Sequence, residues 1–197
     1  MKKGFTIIEL LISVSIFVAM TVLMIVKFGN FDQSILITNL IYDVALVMRT
    51  AQTYGLSVAS SPGMQSDFQF AYGVDFSTAA TTGIDNTVPG NTRVIMFADS
   101  GVDTGIYEGS GPSRDTQVNT YNITRNTKVT SLCIGASDTN CSEVTQLDVS
   151  FKRPNPEAII SASGFLNQQY ARITITGTDK STRSLEVHGN GQVSIIQ

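Results

Sequence analysis

The chain opens with one long apolar stretch. Residues 10–26 carry no charged side chain, and the apolar character begins at Phe5. A helix of about 20 apolar residues crosses the hydrocarbon core of a bilayer. The pattern therefore predicts a transmembrane helix over residues 5–28. Lys2 and Lys3, just before it, favour a cytoplasmic N-terminus, so the rest of the chain is expected outside the cytoplasm.

A second helical pattern follows. Apolar residues recur at steps of three and four, the spacing of one helix face, while Asp43, Arg49 and Gln52 fall on other faces. The apolar positions are Ile37, Leu40, Ile41, Val44, Val47, Met48, Ala51, Tyr54 and Val58. The sequence predicts an amphipathic continuation of the helix over residues 29–60 that packs on a sheet. Ser60 to Gly63 supply the stop signal.

Residues 61–197 have the sequence pattern of a β-rich domain. Short β-like runs are separated by turn residues, and residues 171–176 alternate apolar and polar side chains. Strands are predicted at 68–76, 93–98, 118–124, 129–134, 146–152, 170–176, 183–188 and 192–196. Turn sequences at 177–180 and 189–191 make the last three a meander. A long N-terminal helix followed by antiparallel strands gives an α+β fold class.

Glu9 is a carboxylate where a membrane segment should have none. An ionised acid near the middle of a spanning helix costs roughly 2.5 to 3.5 kcal/mol, and such residues usually face a protein partner. A cleavable secretory signal tolerates such an acid poorly, and residues 17–23 offer no convincing small-x-small cleavage site. A plain uncleaved anchor does not explain Glu9 either. We therefore expect Glu9 to pair with a cationic group of a protein partner.

The N-terminal motif Lys3-Gly4-Phe5-Thr6-Ile7-Ile8-Glu9 resembles the prepilin signal of type IV pilins and of the pseudopilins of type II secretion. The resemblance implies a leader of residues 1–4 that prepilin peptidase removes between Gly4 and Phe5, with N-methylation of Phe5. It also implies that Glu9 is an intersubunit contact that pairs with the N-terminal amine of a neighbouring subunit. Many pilins have proline where this chain has Val26; here Gly29-Asn30 offers the local loosening instead.

The resemblance further implies a pilin-like fold and a role as a structural or assembly subunit, a minor pilin or pseudopilin. Short similarities at 71–74, 94–99 and 185–195 point to the minor pseudopilin group called GspH/FimT. The expected partners are other pilin or pseudopilin subunits, prepilin peptidase, the inner-membrane assembly platform and membrane lipid. The expected location is the cytoplasmic membrane, as a single-pass protein with its C-terminal domain outside, and then a pilus or pseudopilus. The alternatives are a membrane-anchored ectodomain, acting as an adhesin or enzyme, and a DNA-binding competence pilin.

Composition and charge give little support for nucleic-acid binding by this chain. The formal net charge is −3, and loss of Lys2 and Lys3 with the leader would make it −3 − 2 = −5. Nucleic-acid binding depends on Lys and Arg at phosphates, so no nucleic-acid partner is expected. The basic residues Arg125, Lys128, Lys152, Arg153, Lys180 and Arg183 are scattered in sequence and would have to converge in the fold.

Cys133 and Cys141 are the only cysteines, both in the part expected to be exported. An even count outside the cytoplasm favours a disulfide across the short polar loop between them, worth on the order of 2 to 3 kcal/mol. Two free thiols or a redox pair are the alternatives, although the CxxC spacing of redox pairs is absent.

The sequence shows no catalytic motif, and we expect neither an enzyme nor a cofactor. His188 is the only histidine and lies next to a turn, so it is interpreted as a strand-end residue. Asp99, Asp103 and Glu108 lie in a glycine-rich stretch that could supply oxygens to Ca²⁺, but the spacing is not that of an EF-hand. A solvated acidic loop is the preferred interpretation, and no metal site is predicted.

Overall fold

The computed structural model describes residues 4, 6–57, 70–80, 90–100, 105–111 and 114–196, without the side chains of residues 26–33. A helical region at the N-terminus precedes a C-terminal domain of antiparallel strands, which confirms the α+β class. The helical region is α1 (Ile7–Leu56). Two stretches of it, Ile7–Ile25 and Ser34–Leu56, are long and apolar enough to cross a membrane, judged by length and composition.

The strands form two sheets. The first contains β1 (Ala71–Ser77), β2 (Arg93–Asp99), β3 (Thr116–Asn122), β6 (Gln146–Phe151), β7 (Ala158–Ala162) and β8 (Phe165–Gln168), in the order β3-β2-β1-β6-β7-β8. The second contains β4 (Lys128–Ser137), β5 (Asn140–Val144), β9 (Tyr170–Thr176), β10 (Thr182–His188) and β11 (Val193–Ile196), in the order β11-β10-β9-β4-β5. A short 3-10 helix, Gly90–Thr92, leads into β2.

The second half of α1 packs against both sheets. Its buried residues share one helix face: Ile37, Leu40, Ile41, Val44, Met48 and Ala51, as the spacing predicted, and Ala45, which was not predicted. They join a single core cluster with the inward side chains of both sheets. Of the other predicted positions, Val47 is only partly buried, and Val58 lies outside the described residues. The prediction was wrong for Tyr54, which is 40% exposed because it lies at the end of the helix, where its ring meets Tyr72 near the start of β1. Leu46 and Tyr42 lie on the opposite face and are exposed. Burial of this face, rather than helix propensity, is what stabilises the segment as a helix.

Close packing accompanies the end of α1. A Cβ atom on Gly55 would lie 2.3 Å from the carbonyl oxygen of Phe151, so only glycine fits there. The carbonyl of Gly55 accepts a hydrogen bond from the Arg153 N–H at 3.1 Å, and Ser57 caps the helix with extended backbone. The helix ends at Leu56, and the stop signal predicted at Ser60 to Gly63 lies outside the described residues.

The predicted strands are present with small shifts at their ends, except that the start of the strand predicted at 68–76 lies outside the described residues, and the C-terminal meander is confirmed. In β9 the buried side chains Ala171, Ile173 and Ile175 alternate with partly exposed ones, as expected for a half-buried antiparallel strand. Three strands were not predicted: β5, β7 and β8. All three lie at or near sheet edges, where weak alternation leaves little sequence signal.

Candidate functional site

The first half of α1 is exposed along its whole described length. Every described side chain from Ile7 to Ile25 is solvent-accessible in the isolated chain, and Phe17 is 72% exposed. By contrast, 39% of the segment Ser34–Leu56 is buried against the sheets. A predominantly apolar surface of this size needs lipid or protein to cover it.

Polar hydroxyls within this stretch are satisfied inside the helix. Ser13, Ser15 and Thr21 each donate to the carbonyl oxygen four residues earlier at 2.8 Å. This bonding lets hydroxyl groups sit in a surface that is otherwise apolar. Glu9 is then the only ionisable side chain between Ile7 and Ile25.

Glu9 forms a capping box with Thr6. The Thr6 N–H donates to Glu9 Oε2 at 3.1 Å, and the Glu9 N–H donates to Thr6 Oγ1 at 3.3 Å. The Thr6 hydroxyl also donates to Glu9 Oε2, at 2.9 Å. These bonds satisfy donors at the helix start. Among the residues that the structure describes, none supplies Glu9 with a cation. Gly4 is exposed, and Phe5 lies outside the described residues.

The two cysteines lie on neighbouring strands at the edge of the second sheet. Cys133 on β4 and Cys141 on β5 are at disulfide distance, with their Cα atoms 5.6 Å apart. The pairing of β4 with β5 has an irregular register between Gly135 and Ser137. Asp138, in the turn of the same hairpin, forms an ion pair with Arg172 of β9, with Nη1 and Oδ1 2.5 Å apart. The sequence predicted this pair, and its effect would be to tie the edge hairpin β4–β5 together.

The acidic residues that the sequence suggested for calcium do not converge. Asp99 ends β2, is buried, and accepts a hydrogen bond from the Gly105 N–H at 2.8 Å. The side chain of Glu108 is exposed, and Asp103 lies outside the described residues. Among the residues that the structure describes, no group of three or more His, Cys, Asp or Glu side chains could hold a metal ion. His188 ends β10 with its ring 5.5 Å from that of Tyr170, a packing contact.

A buried carboxyl pair was missed by the sequence reasoning. Asp75 on β1 and Asp148 on β6 are direct cross-strand partners on the face of the first sheet that points away from α1. Residues 105–111 cover this face, and the Tyr107 ring packs on Phe97 with their centroids 5.2 Å apart. Gln146 Nε2 donates to Asp75 Oδ1 at 2.9 Å, and the Tyr107 N–H donates to Asp148 Oδ1 at 3.1 Å.

The protonation of this pair follows from its surroundings. Burial, and then the charge of Asp75, raise the pKa of the Asp148 carboxyl well above its ordinary value, and Asp115 adds to the effect. The hydrogen bond from the Tyr107 backbone acts in the opposite direction. Arg93, also buried, is a cation on the adjacent strand β2. A protonated Asp148 fits the site because it can donate a hydrogen bond to the neighbouring carboxylate.

This arrangement predicts a pH dependence of stability. The pKa of Asp148 is higher in the folded protein than in the unfolded chain. Protonated Asp148 therefore stabilises the fold fully at a pH below the unfolded-state pKa, and this stabilisation is lost as the pH rises through the folded-state pKa. Asp148→Asn mimics the protonated acid, so we expect it to raise the unfolding free energy at about pH 9 by on the order of 1–3 kcal/mol. At about pH 4 the two proteins should unfold alike. Thermal unfolding of the full-length wild-type and variant chains in detergent, followed by circular dichroism, measures the stability difference at each of the two pH values.

The control is Asp179→Asn. Asp179 is exposed, and its hydrogen bonds with Ser181 lower the pKa of its carboxyl, so this variant should lose stability above the unfolded pKa rather than gain it. A wild-type protein that is as stable at alkaline pH as Asp148→Asn would contradict the buried-pair interpretation.

Comparison of the chain with protein-family models, with curated proteins and with solved structures gives no match.

Proposed function

We propose that the chain is a structural or assembly subunit, a minor pilin or pseudopilin, of a type IV pilus or type II secretion filament. The observation that carries the proposal is Glu9, a single carboxylate in a helix surface that is apolar and exposed from Ile7 to Ile25. A lone anchor gains nothing from an acid placed in lipid. A subunit that packs its helix beside another gains an ion pair.

The partner group follows from the position of Glu9 in the chain. Cleavage after Gly4 would leave the α-amine of Phe5 as a cation four residues before Glu9, about 6 Å along the helix axis, so it can meet Glu9 of a neighbouring helix that is shifted by about one turn. An ion pair in this low-dielectric setting fixes the axial register between subunits, because a shift would leave both charges unpaired. The apolar surfaces of neighbouring helices then pack against each other in the filament core.

The division of the chain supports the same function. The first half of α1 is exposed and uniform in character, whereas the second half is anchored in the β domain through its buried face. The first half is therefore free to contact lipid before assembly and other subunits afterwards. Prepilin peptidase and the inner-membrane assembly platform are the expected processing and assembly partners, and no reaction is assigned to the β domain.

Processing of the leader tests this proposal. We expect the mature chain to begin at Phe5 and to carry one added methyl group when it is isolated from cells with an active prepilin peptidase, as measured by mass spectrometry of the intact protein. Gly4→Leu should leave precursor in the membrane, because a side chain blocks close approach of the backbone to the protease cleft.

Gly29→Leu is the matched control, since it adds the same side chain outside the expected cleavage motif and should leave processing intact. An uncleaved N-terminus at Met1 in such cells would overturn the assignment to the pilin class.

A further inference from the structure

Basic side chains from separate parts of the sequence gather at one end of the second sheet. Arg125 lies in the turn before β4, and Lys128 begins β4 opposite Thr176 of β9. Lys180 lies in the turn between β9 and β10, and Arg183 follows at the start of β10, opposite Ile175. We call Arg125, Lys128, Lys180 and Arg183 the basic end of the domain.

The charges of the basic end are available. Arg125, Lys128 and Lys180 are exposed, and none of the three makes an ion pair with a residue that the structure describes. Arg125 and Lys180 have positive φ angles of 61° and 65°, so each is held in a tight turn. Among the described side chains of these two turns and strand ends, the acid is Asp179, whose carboxylate accepts hydrogen bonds from the N–H and hydroxyl of Ser181. These described side chains carry a net positive charge, in a chain whose net charge is −3.

The contacts of α1 show which end this is. Gly177, in the turn that holds Lys180, lies next to Ile37 near the start of the packed half of α1, where its Cβ would be 3.8 Å from Ile37 Cδ1. Gln52, near the end of α1, donates to the carbonyl of Gly191 at 3.3 Å. Strand β10 therefore runs along α1 in the same direction. The basic end lies where the chain enters the domain from the apolar segment Ile7–Ile25.

This position brings the basic end close to the membrane surface. Ile37 lies nine residue steps after Phe28, the expected end of the transmembrane helix, which is about 14 Å at 1.5 Å per residue. The head-group region extends about 5–7 Å beyond the hydrocarbon core. The remaining gap is comparable to a Debye length of about 8 Å at physiological salt, and the long Lys and Arg side chains reduce it further.

We propose that the basic end binds the phosphate head groups of anionic lipids and holds the β domain against the membrane surface before the subunit enters a filament. The inference rests on the proposed membrane anchoring of residues 5–28. Each Lys or Arg near an anionic surface favours the bound state by about fivefold. Three or four cations together are enough to set the orientation of a domain that is already tethered.

The position also favours lipid over nucleic acid. Of the six basic residues that would have to converge for DNA binding, Lys152 and Arg153 lie at the opposite end of the domain, beside the end of α1, where the Arg153 N–H donates to Gly55 O. The six therefore do not form one patch. The four that do converge lie at the end nearest the lipid surface.

The test uses the full-length chain in nanodiscs of two compositions, neutral phosphatidylcholine alone and phosphatidylcholine with about one third phosphatidylglycerol. Hydrogen exchange followed by mass spectrometry reports on peptides that cover residues 123–131 and 177–184. We expect exchange in these peptides to be about fivefold or more slower in the anionic nanodiscs, and the difference to disappear at about 0.5 M salt. The triple charge reversal Arg125→Glu, Lys128→Glu, Lys180→Glu should abolish the difference.

Arg49→Glu is the matched control for Lys180→Glu, because it reverses one exposed charge near the other end of the domain. Arg49→Glu should leave the slower hydrogen exchange in anionic nanodiscs unchanged, whereas Lys180→Glu should reduce this slowing. Equal exchange in the two nanodisc compositions, or protection that survives the triple charge reversal, overturns the inference.

Fluorescence polarisation with a labelled DNA duplex forms the second arm of the test. Duplex binding that the triple variant removes, together with equal exchange in both nanodisc compositions, assigns the basic end to nucleic acid and overturns lipid binding. A chain that fails to integrate into either nanodisc refutes the membrane anchoring itself and with it the inference, a result distinct from integration without protection.

Discussion

Replacing Glu9 by glutamine should abolish incorporation of the subunit into filaments while leaving its level in the membrane unchanged. The reason is the unpaired charge that remains on the neighbouring subunit. Removing one partner of a desolvated ion pair costs roughly 3 to 5 kcal/mol, which corresponds to about 10²- to 4 × 10³-fold in an association equilibrium. Insertion of the single helix should not suffer, because the substitution deletes the only charge between Ile7 and Ile25.

Glutamine is chosen because the structure gives Glu9 a second role. Its carboxylate accepts hydrogen bonds from the backbone and hydroxyl of Thr6, and glutamine serves in a capping box as well as glutamate does. Glu9→Gln therefore keeps the cap and removes the charge. Thr6→Ala removes the cap and keeps the charge, at a cost of about 1 kcal/mol in helix stability.

Three readouts separate the two roles: membrane level, leader cleavage with methylation, and the amount of subunit in sheared filaments or in crosslinked subunit complexes. An intersubunit ion pair predicts failure of Glu9→Gln and near-normal assembly of Thr6→Ala. The reverse pattern would assign Glu9 to helix capping and would favour an anchored ectodomain over a filament subunit. Wild-type assembly of both variants would also remove the support for a filament subunit.

The order of elements could be predicted because the apolar periodicity changes along the chain. Helical spacing through Met48 and alternation through Ile173 are both set by burial of one face, and burial is the dominant stabilising effect. The division of the eleven strands in the described part of the chain into two sheets could not be predicted in this way. Pairings such as β1 with β6 join segments about 70 residues apart, and local pattern does not encode them.

The strands that were missed show what the pattern lacks at an edge. Residues 140–144 read Asn-Cys-Ser-Glu-Val, almost without apolar side chains, because β5 borders solvent and needs none. β8 has only four residues, and Asn167 within it has a φ of 53°. A short, irregular edge strand of this kind limits pairing with other chains, and it also leaves no periodic signal.

Of the candidate site residues, some could be predicted from the sequence and others could not. Glu9 could be found from the sequence because a charge in an apolar stretch is conspicuous. The Asp75–Asp148 pair could not, because alternation in β1 and β6 assigns both residues to the face opposite the core, where solvent is the default expectation. That face is covered by residues 105–111, a glycine-containing segment without periodicity.

Met48→Ala should destabilise the domain more than any exposed substitution in α1. Met48 is fully buried between α1 and the sheets, and truncating such a side chain costs about 2–5 kcal/mol. Chemical unfolding of the full-length chain in detergent, followed by circular dichroism, measures the change in unfolding free energy. The loss should be accompanied by faster hydrogen exchange in peptides from β1 and β10, two of the strands against which this half of α1 packs.

Leu46→Ala is the matched control, two residues away on the opposite face and 63% exposed. It removes an apolar side chain of similar size and should change the unfolding free energy by no more than about 0.5 kcal/mol. The two variants therefore separate folding from assembly: a filament defect in Met48→Ala reflects loss of the domain, whereas one in Leu46→Ala reflects a contact between subunits. Equal unfolding free energies for Met48→Ala and the wild type would mean that the second half of α1 does not belong to the core, and the division of the helix into an exposed and an anchored half would fail.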